Sequence, residues 1–345
     1  MSNYPFSYKV SWPGRFLKPS LHGDASGFLP AYGAFLPKPG ISVRLAFVGD
    51  ISAVANRRPP VCYTELSALL GSADLVVGNC ESPIVDMPSA RLGTLVGTHH
   101  AMTRGFLAGA LEAVGVAPGR LVLSLANNHV LDQGISGFEA TRTALDTLGI
   151  ATIGTAPTLT KVAVGPLTLG LVAFTQWRNA PAGQFTGRVA MADDFFAAAD
   201  KGLSDGTDLV CAVPHWDWEF RHFPQPRTRA WAQRLAELGV GLIAGHHAHV
   251  VQPIARIGET LVAYGLGDFL GTALSRQTWP GRIGAILVVE VSADSATRGQ
   301  IASYRVVPFV RLRDGDREKM LPLEKVEGRL GGKVRARWNV VFAPG

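Results

Sequence analysis

Five short apolar runs in this chain each end at a residue whose side chain can bind a metal ion or move a proton. The runs cover residues 44–49, 74–78, 121–126, 208–214 and 240–245. The polar residues that follow them are Asp50; Asn79, Cys80 and Glu81; Asn127, Asn128 and His129; His215; and His246, His247 and His249. Buried parallel strands read as continuous apolar runs, and open α/β sheets bind ligands outside the carboxyl ends of those strands. The pattern predicts a binuclear metal site at one sheet edge.

These residue types suit a hydrolytic site with two metal ions. Such a site needs oxygen ligands, imidazoles, one carboxylate shared between the ions, and an open position for water. Glu81 could bridge two ions or bind one, and Asn128 offers a side-chain carbonyl. His129 directly follows Asn128 and should point elsewhere, where it could protonate a leaving group. The remaining predicted metal ligands are Asp50, His215, His247 and His249.

The histidine-rich segment has a further internal pattern. Side chains alternate between two faces of an extended segment, so His247 and His249 should share one face. His246 should lie on the opposite face and pack or support the ligands. His99 and His100 lie in a stretch rich in Gly and Thr, where a substrate-facing loop and plain exposed histidines are equally good interpretations.

Elements of helix and strand must position these residues. Residues 136–148 and 227–238 carry apolar side chains at helical spacing, and each is followed by a glycine and a new strand. This alternation is typical of βαβ units. Residues 162–174 and 254–264 read as strand–turn–strand pairs. The expected fold class is α/β, a layered αββα sandwich with mixed sheets.

The chain is predicted to have three parts. Residues 1–40, rich in Pro, Gly and aromatic residues, should form an irregular N-terminal arm. Residues 41–291 should form the main domain, and residues 292–345 a strand-containing C-terminal extension.

Bulk composition excludes several classes of protein. Of 345 residues, 47% are hydrophobic and 17% charged, which allows a sizeable core. No apolar stretch approaches the roughly 18 residues of a membrane span, and the first residues lack a secretory pattern. Three cysteines fit a reducing compartment, so a cytoplasmic protein is expected. The net charge of +6 is mostly scattered arginine, which favours a solvated surface over nucleic-acid binding.

Six motifs occur together in a fixed order, and together they resemble the poly-γ-glutamate capsule-synthesis (CapA-like) family. They begin at residues 49, 78, 127, 214, 245 and 264, and read Gly-Asp, Gly-Asn-Cys-Glu, Asn-Asn-His-x-x-Asp-x-Gly, Pro-His-Trp-x-x-Glu, Gly-His-His-Ala-His-Val-x-Gln and Tyr-Gly-Leu-Gly-Asp-Phe. That family is similar in fold to the calcineurin-like metallophosphatases. The resemblance implies metal roles for the six predicted ligands and places His129 at the catalytic histidine position.

The chain departs from the family pattern at several positions. The Asp-x-His of metallophosphatases becomes Asp50-Ile51-Ser52, so one imidazole is missing. The expected Asn-Leu-Glu becomes Asn-Cys-Glu at residues 79–81, which leaves open whether Asn79 or Glu81 bridges the metals. Asp268 replaces a usual asparagine and adds a carboxylate near a strand end.

Other residues are predicted to support the site or to hold substrate. Asp132 should orient the loop that carries the catalytic histidine. Arg178 could hold an anionic group bidentately, although a surface role is an equal alternative. The full set of predicted supporting or substrate residues is Asn79, Asn127, His246, Arg178, Glu219 and Asp268, with Asp132 beside His129 in the catalytic group.

The sequence therefore predicts a metal-dependent hydrolase. One or two transition-metal ions, Mn, Fe or Zn, would activate water against a phosphoester or a γ-glutamyl-type amide of an anionic small molecule or polymer. His129 would act as acid or base. The alternative is a non-catalytic or transferase component of a polymer-synthesis complex, and loss of the Asp-x-His imidazole favours that interpretation.

Overall fold

The computed structural model describes residues 2–54, 58–88, 99–199, 203, 206–271 and 277–342. In these parts of the chain, helices flank two mixed β-sheets. The helices are α1 (Phe6–Leu17), α2 (Thr64–Gly71), α3 (Arg104–Ala113), α4 (Gly134–Thr147), α5 (Ala182–Phe185), α6 (Ala192–Ala199), α7 (Pro226–Glu237) and α8 (Gly328–Phe342). No helix in the described ranges has both the length and the apolar character needed to cross a membrane.

The first sheet combines parallel and antiparallel strands. Its strands are β1 (Tyr32–Ala34), β2 (Ser42–Ile51), β3 (Val61–Cys62), β4 (Leu75–Cys80), β5 (Leu121–Ser124), β6 (Ala151–Ile153), β13 (Asp268–Leu270), β14 (Ile283–Ser292), β15 (Ile301–Asp314) and β16 (Arg317–Pro322). The order is β3-β16-β15-β14-β2-β4-β5-β6, with β1 beside β15 and β13 beside β2. Strands β2, β4, β5 and β6 run parallel, whereas β14, β15 and β16 are antiparallel.

The second sheet has a parallel centre and antiparallel edges. Its strands are β7 (Thr160–Val164), β8 (Leu167–Thr175), β9 (Leu209–His215), β10 (Leu242–Ala244), β11 (Ile254–Ile257) and β12 (Thr260–Ala263), in the order β11-β12-β10-β9-β8-β7. The four central strands are parallel. Strands β7 and β11 pair antiparallel with their neighbours, as the two strand–turn–strand predictions require.

The core lies between the two sheets. Phe47 and Leu123 of the first sheet share one buried cluster with Leu171 and Val213 of the second, and each is at most 1% exposed. A smaller cluster packs the other face of the second sheet against α6 and α7. Burying one such side chain contributes about 1.5–3 kcal/mol. Two mixed sheets packed between helices confirm the predicted fold class.

The parallel register brings the ends of separate strands together. Asp50 at the end of β2 pairs with Asn79 of β4 and with Asp268 of β13. In the second sheet, His215 ends β9 and forms an isolated parallel bridge with His246. The polar residues predicted to meet at one edge therefore lie at neighbouring positions of the paired backbones.

The terminal regions differ from the sequence-based prediction. The N-terminal arm is not irregular throughout, because residues 6–17 form α1. The sequence does not predict this helix because Pro13 and Gly14 lie inside it, and both residue types disfavour helix interiors. The C-terminal region does contain strands, but β15 pairs along most of β14, so the predicted boundary at residue 291 falls inside one sheet.

Replacing Gly245 with alanine is expected to destabilise the fold. A Cβ atom at Gly245 would lie 2.0 Å from the carbonyl oxygen of Tyr264 and 2.4 Å from the indole nitrogen of Trp216. Overpacking of this kind costs about 1–3 kcal/mol. Urea unfolding should give a correspondingly lower free energy of unfolding for Gly245→Ala.

The matched control is Gly105→Ala in α3, where a Cβ atom meets no other atom within 4 Å. This variant should be as stable as the unchanged protein, or slightly more stable, because alanine is the better helix former. Equal stability of the two alanine variants would contradict the close backbone approach at Gly245.

Candidate metal centre

Four potential ligand atoms face one another near the ends of β4, β5, β9 and β10. The Nε2 atom of His215 lies 2.7 Å from Asn128 Oδ1, 3.0 Å from His247 Nδ1 and 3.4 Å from Glu81 Oε1. Atoms bound at about 2.1 Å to a single ion are separated by roughly 3.0–3.4 Å. Burial lowers the pKa of both histidines well below its ordinary value, so their rings are neutral, the form that binds metals.

A second group of ligand atoms lies beside the first. Asp50, Glu81, His249 and Asp268 each offer an atom within 4.8 Å of the others, and all four are buried. The Nδ1 atom of His249 is 2.6 Å from Asp268 Oδ1 and 3.9 Å from Asp50 Oδ2, while its Nε2 atom is 3.7 Å from Glu81 Oε1. Burial lowers the pKa of His249, but the Asp268 and Glu81 carboxylates outweigh it and raise that pKa well above its ordinary value.

Glu81 belongs to both groups. Its Oε2 atom accepts a hydrogen bond from Ser52, but its Oε1 atom has no hydrogen-bond partner among the described residues and is fully buried. Burial raises the pKa of Glu81 well above its ordinary value. A buried carboxylate oxygen that accepts no hydrogen bond is costly unless a cation balances its charge. Carboxylate, amide and imidazole groups around that oxygen therefore fit a divalent transition metal.

Asn79 and Asn127 lie behind the ligands. The amide of Asn79 donates to Asp50 Oδ1 over 2.7 Å and lies 3.2 Å from His215 Nδ1. Asn127 donates to the side-chain oxygen of Asn79 over 3.2 Å and to the carbonyl oxygen of Cys80. Asn79 thus contacts the flanks of two ligands, whereas Glu81 lies between the two groups.

The histidine-rich segment is bent, not extended as predicted. His247 and His249 adopt left-handed backbone conformations with φ of 87° and 52°, which residues other than glycine rarely adopt. Both rings nevertheless face the ligand groups, while His246 Nε2 contacts the carbonyl oxygen of Val48 over 3.0 Å. The Asp50 carboxylate accepts from the backbone N–H of His247 and helps to hold this strained turn.

His129 and Asp132 form a hydrogen-bonded pair beside the ligands. The Nδ1 atom of His129 lies 2.6 Å from Asp132 Oδ2. Burial lowers the pKa of His129 to about 3 and raises that of Asp132 to about 6, so at neutral pH Nδ1–H donates to a carboxylate. Nε2 is then the ring nitrogen available to accept a proton.

His100 completes this pair and was not identified as a site residue from the sequence. Its backbone N–H donates to Asp132 over 2.7 Å, and its ring stacks on His129 with centroids 3.7 Å apart. It is 5% exposed, which excludes the exposed-histidine interpretation. Glu81, His100 and His129 also offer ligand atoms within 4.8 Å of one another. Only an adjacent histidine pair marks this position in the sequence.

A cavity of about 920 Å³ opens beside the ligands. Its N-terminal wall comes from the region predicted to be an irregular arm, namely Tyr4, Tyr8, Trp12 and Phe16. The other described lining residues include His100, Asn128, His129, Asp132, Asn179, Glu219, Phe220, His249 and Asp268. The aromatic wall was missed because its residues precede every recognisable motif.

Of the remaining predicted residues, Glu219 lies at the cavity and Arg178 does not. Glu219 lines the cavity, accepts from the indole of Trp12, and lies 3.9 Å from His247 Nε2. Arg178 is not among the lining residues, and its guanidinium donates to the carbonyl oxygen of Ala180. None of the described lining residues is lysine or arginine.

The chain is similar to proteins of capsule synthesis. Its sequence matches the family described as "Bacterial capsule synthesis protein PGA_cap" over residues 44–273. The PGA biosynthesis protein CapA of Bacillus subtilis (strain 168) is 25% identical over 242 residues, 65% of this chain and 62% of that protein. The capsule biosynthesis protein CapA of Bacillus anthracis is 27% identical over 247 residues, 66% of this chain and 59% of that protein. The chain thus spans about three fifths of the length of these relatives.

Solved structures with a similar arrangement include a putative 5′-nucleotidase from Staphylococcus aureus in complex with alpha-ketoglutarate. It is 12% identical, with a TM-score of 0.45, over 85% of this chain and 58% of that chain. A hypothetical protein from Thermus thermophilus is 14% identical, with a TM-score of 0.44, over 78% of this chain and 99% of that chain. The family match includes every predicted metal ligand from Asp50 to His249 and confirms the resemblance drawn from the motifs. The chain therefore belongs to the family of bacterial capsule synthesis proteins PGA_cap.

Proposed function

We propose that the protein is a metal-dependent hydrolase that acts on an anionic substrate. The observation that carries this proposal is the buried Oε1 atom of Glu81, which lies between His215 and His249 and has no hydrogen bond within the part of the chain that the structure describes. Such an arrangement is costly without a cation and favourable with one.

Two divalent ions would share Glu81 as their common ligand. Asn128, His215 and His247 would complete one position, and Asp50, His249 and Asp268 the other, while Asn79 and Asn127 orient these ligands. Ser52 occupies the position of the metallophosphatase histidine, and Asp268 would supply a ligand in place of that missing imidazole. When bound, Mn, Fe or Zn ions lower the pKa of water to roughly 7 and stabilise developing negative charge.

His129 would move the proton. Asp132 holds its Nδ1–H and so fixes the ring orientation, which leaves Nε2 directed away from that carboxylate. In the neutral form, Nε2 accepts a proton from the attacking water and returns it to the leaving group. The stacked His100 ring restrains the imidazole from one side.

The substrate class follows from the relatives and the cavity. Two relatives are named for PGA or capsule biosynthesis, which supports a γ-glutamyl-type amide of an acidic polymer over a phosphoester. The described cavity lining carries no lysine or arginine, so metal ions would neutralise the substrate charge, and Arg178 would have no direct part in holding it.

A non-catalytic or transferase role in polymer synthesis is the second candidate. It is favoured by Ser52, which stands where metallophosphatases carry an imidazole and instead donates a hydrogen bond to Glu81. Stoichiometric metal binding without turnover of any γ-glutamyl amide or phosphoester would support this candidate over hydrolysis.

Substituting Glu81 by glutamine should remove most metal binding. The amide is neutral and nearly isosteric, so it removes the shared anionic ligand without opening a cavity. Metal-depleted protein, dialysed against Mn²⁺, should hold one or two ions per chain by elemental analysis, and Glu81→Gln at least tenfold less at limiting Mn²⁺. Glu112→Gln, at an exposed position of α3, is the control. Equal metal content in both variants would remove Glu81 from the site.

Substituting His129 by alanine should lower turnover while leaving metal content near normal. Loss of a positioned acid or base typically costs about 10²–10⁴-fold in rate. Steady-state assays with γ-glutamyl amides and phosphoesters, together with elemental analysis, separate the two effects. His22→Ala, at an exposed position, should change neither. Loss of the metal from His129→Ala would indicate that His129 is a metal ligand and would contradict its proposed role in proton transfer.

A further inference from the structure

The N-terminal segment reaches three groups at the metal centre with residues spaced four apart. The hydroxyl of Tyr4 accepts a hydrogen bond from Asn128 Nδ2 over 2.8 Å. The hydroxyl of Tyr8 lies 3.4 Å from His247 Nε2. The indole of Trp12 donates to Glu219, whose other carboxylate oxygen faces the same His247 nitrogen. These residues lie outside the range of the family match.

The segment is held by packing of its own. Tyr4 stacks on Tyr8 at 4.5 Å and on Trp177 at 4.8 Å between ring centroids. The side chain of Asn3 bonds to the backbone of residues 176 and 178. The ring of Tyr4 is therefore fixed without its hydroxyl, and the hydroxyl is left to make one contact with a metal-ligating side chain.

The contact with Asn128 supports one of two amide orientations. An asparagine side chain has an oxygen and a nitrogen of almost the same size, and only the oxygen can bind a metal. In the observed orientation Tyr4 accepts from the nitrogen, and the oxygen is directed towards His215 Nε2, 2.7 Å away. Without the hydroxyl, Nδ2 would lose that partner and the amide could turn its nitrogen to the metal position.

We propose that Tyr4 is a positioning residue of the metal centre, which holds the amide of Asn128 with its oxygen towards the ion. Tyr8 and Trp12 extend this role by supporting the distal nitrogen of His247, directly and through Glu219. This inference rests on the proposed metal site, and it makes the N-terminal segment part of that site instead of an appendage.

The test is a Mn²⁺ titration of the metal-depleted 345-residue chain by calorimetry, in which the unchanged protein is measured first. Failure of the unchanged protein to bind Mn²⁺ would overturn the proposed function itself. If it binds, Tyr4→Phe should weaken the Mn²⁺ affinity about tenfold, the usual effect of losing a residue that orients a ligand. Tyr32→Phe, at a residue 72% exposed on β1, should not change the affinity. Unchanged affinity in Tyr4→Phe would overturn the inference alone.

A second arm separates amide orientation from general packing. In an Asn128→Asp background both side-chain oxygens are equivalent, so no orientation has to be selected. Tyr4→Phe should then change the Mn²⁺ affinity no more than about twofold, a clear departure from additivity. The melting temperature of the metal-depleted Tyr4→Phe protein should match that of the unchanged protein. A tenfold loss in the Asn128→Asp background, or an equal loss of stability without metal, would assign Tyr4 a merely structural role and overturn the proposal.

The visible absorption of Co²⁺-loaded protein gives an independent readout. Co²⁺ bands respond to the number and kind of ligands, so loss of the Asn128 oxygen should shift or weaken them in Tyr4→Phe but not in Tyr32→Phe. Identical spectra for the two variants would contradict a change at the ion.

Discussion

The structure of the site depends on a buried carboxylate, one oxygen of which accepts no hydrogen bond from the residues that the structure describes. Glu81 lies at the centre of the site, next to two further carboxylates and three imidazoles, all removed from water. Burying like charges together is unfavourable unless cations balance them. Grouping Asp50 and Asp268 with His249 on one side of Glu81, and the neutral rings of His215 and His247 with Asn128 on the other, would allow the edge to bind such cations.

Close backbone packing holds the buried carboxylates and imidazoles in place. Glycine at positions 49 and 245 allows the ends of two strands to approach the carbonyl groups of neighbouring loops, where a Cβ atom would overlap. The strained backbone of His247 and His249 is retained because hydrogen bonds and packing around it over-determine the turn. Side chains placed in this way would not have to reorganise to bind an ion, which would favour tight and selective binding.

Much of the fold, and the meeting of polar residues at one sheet edge, could be predicted from the sequence because both depend on local pattern. Apolar runs gave the strands, and parallel pairing then forces polar residues at their ends to one edge, as Asp50, Asn79 and His215 illustrate. The bend at His247 could not be predicted, because alternation assumes an extended backbone and the strain is imposed by tertiary contacts.

The roles of residues that come from distant segments of the chain could not be predicted, because these roles depend on tertiary contacts. Arg311, on β15, is fully buried and pairs with Asp268 and Glu318. The sequence predicts a solvated surface for the scattered arginines, because sequence shows charge and not burial. The pairing with Arg311 balances the carboxylate that Asp268 adds, and together with His249 it holds the pKa of Asp268 below its ordinary range despite burial. Tyr4 and His100 are similar, since each gains its role only by contact across the fold.

Anomalous X-ray diffraction from crystals grown with Mn²⁺ tests the central claim most directly. We predict two anomalous peaks on either side of the Glu81 carboxylate, one next to Asn128, His215 and His247 and the other next to Asp50, His249 and Asp268. A single peak at either position would still make Glu81 a ligand. The absence of any peak at Glu81 from a crystal that holds Mn²⁺ elsewhere, or a peak held only by His100 and His129, would contradict the account.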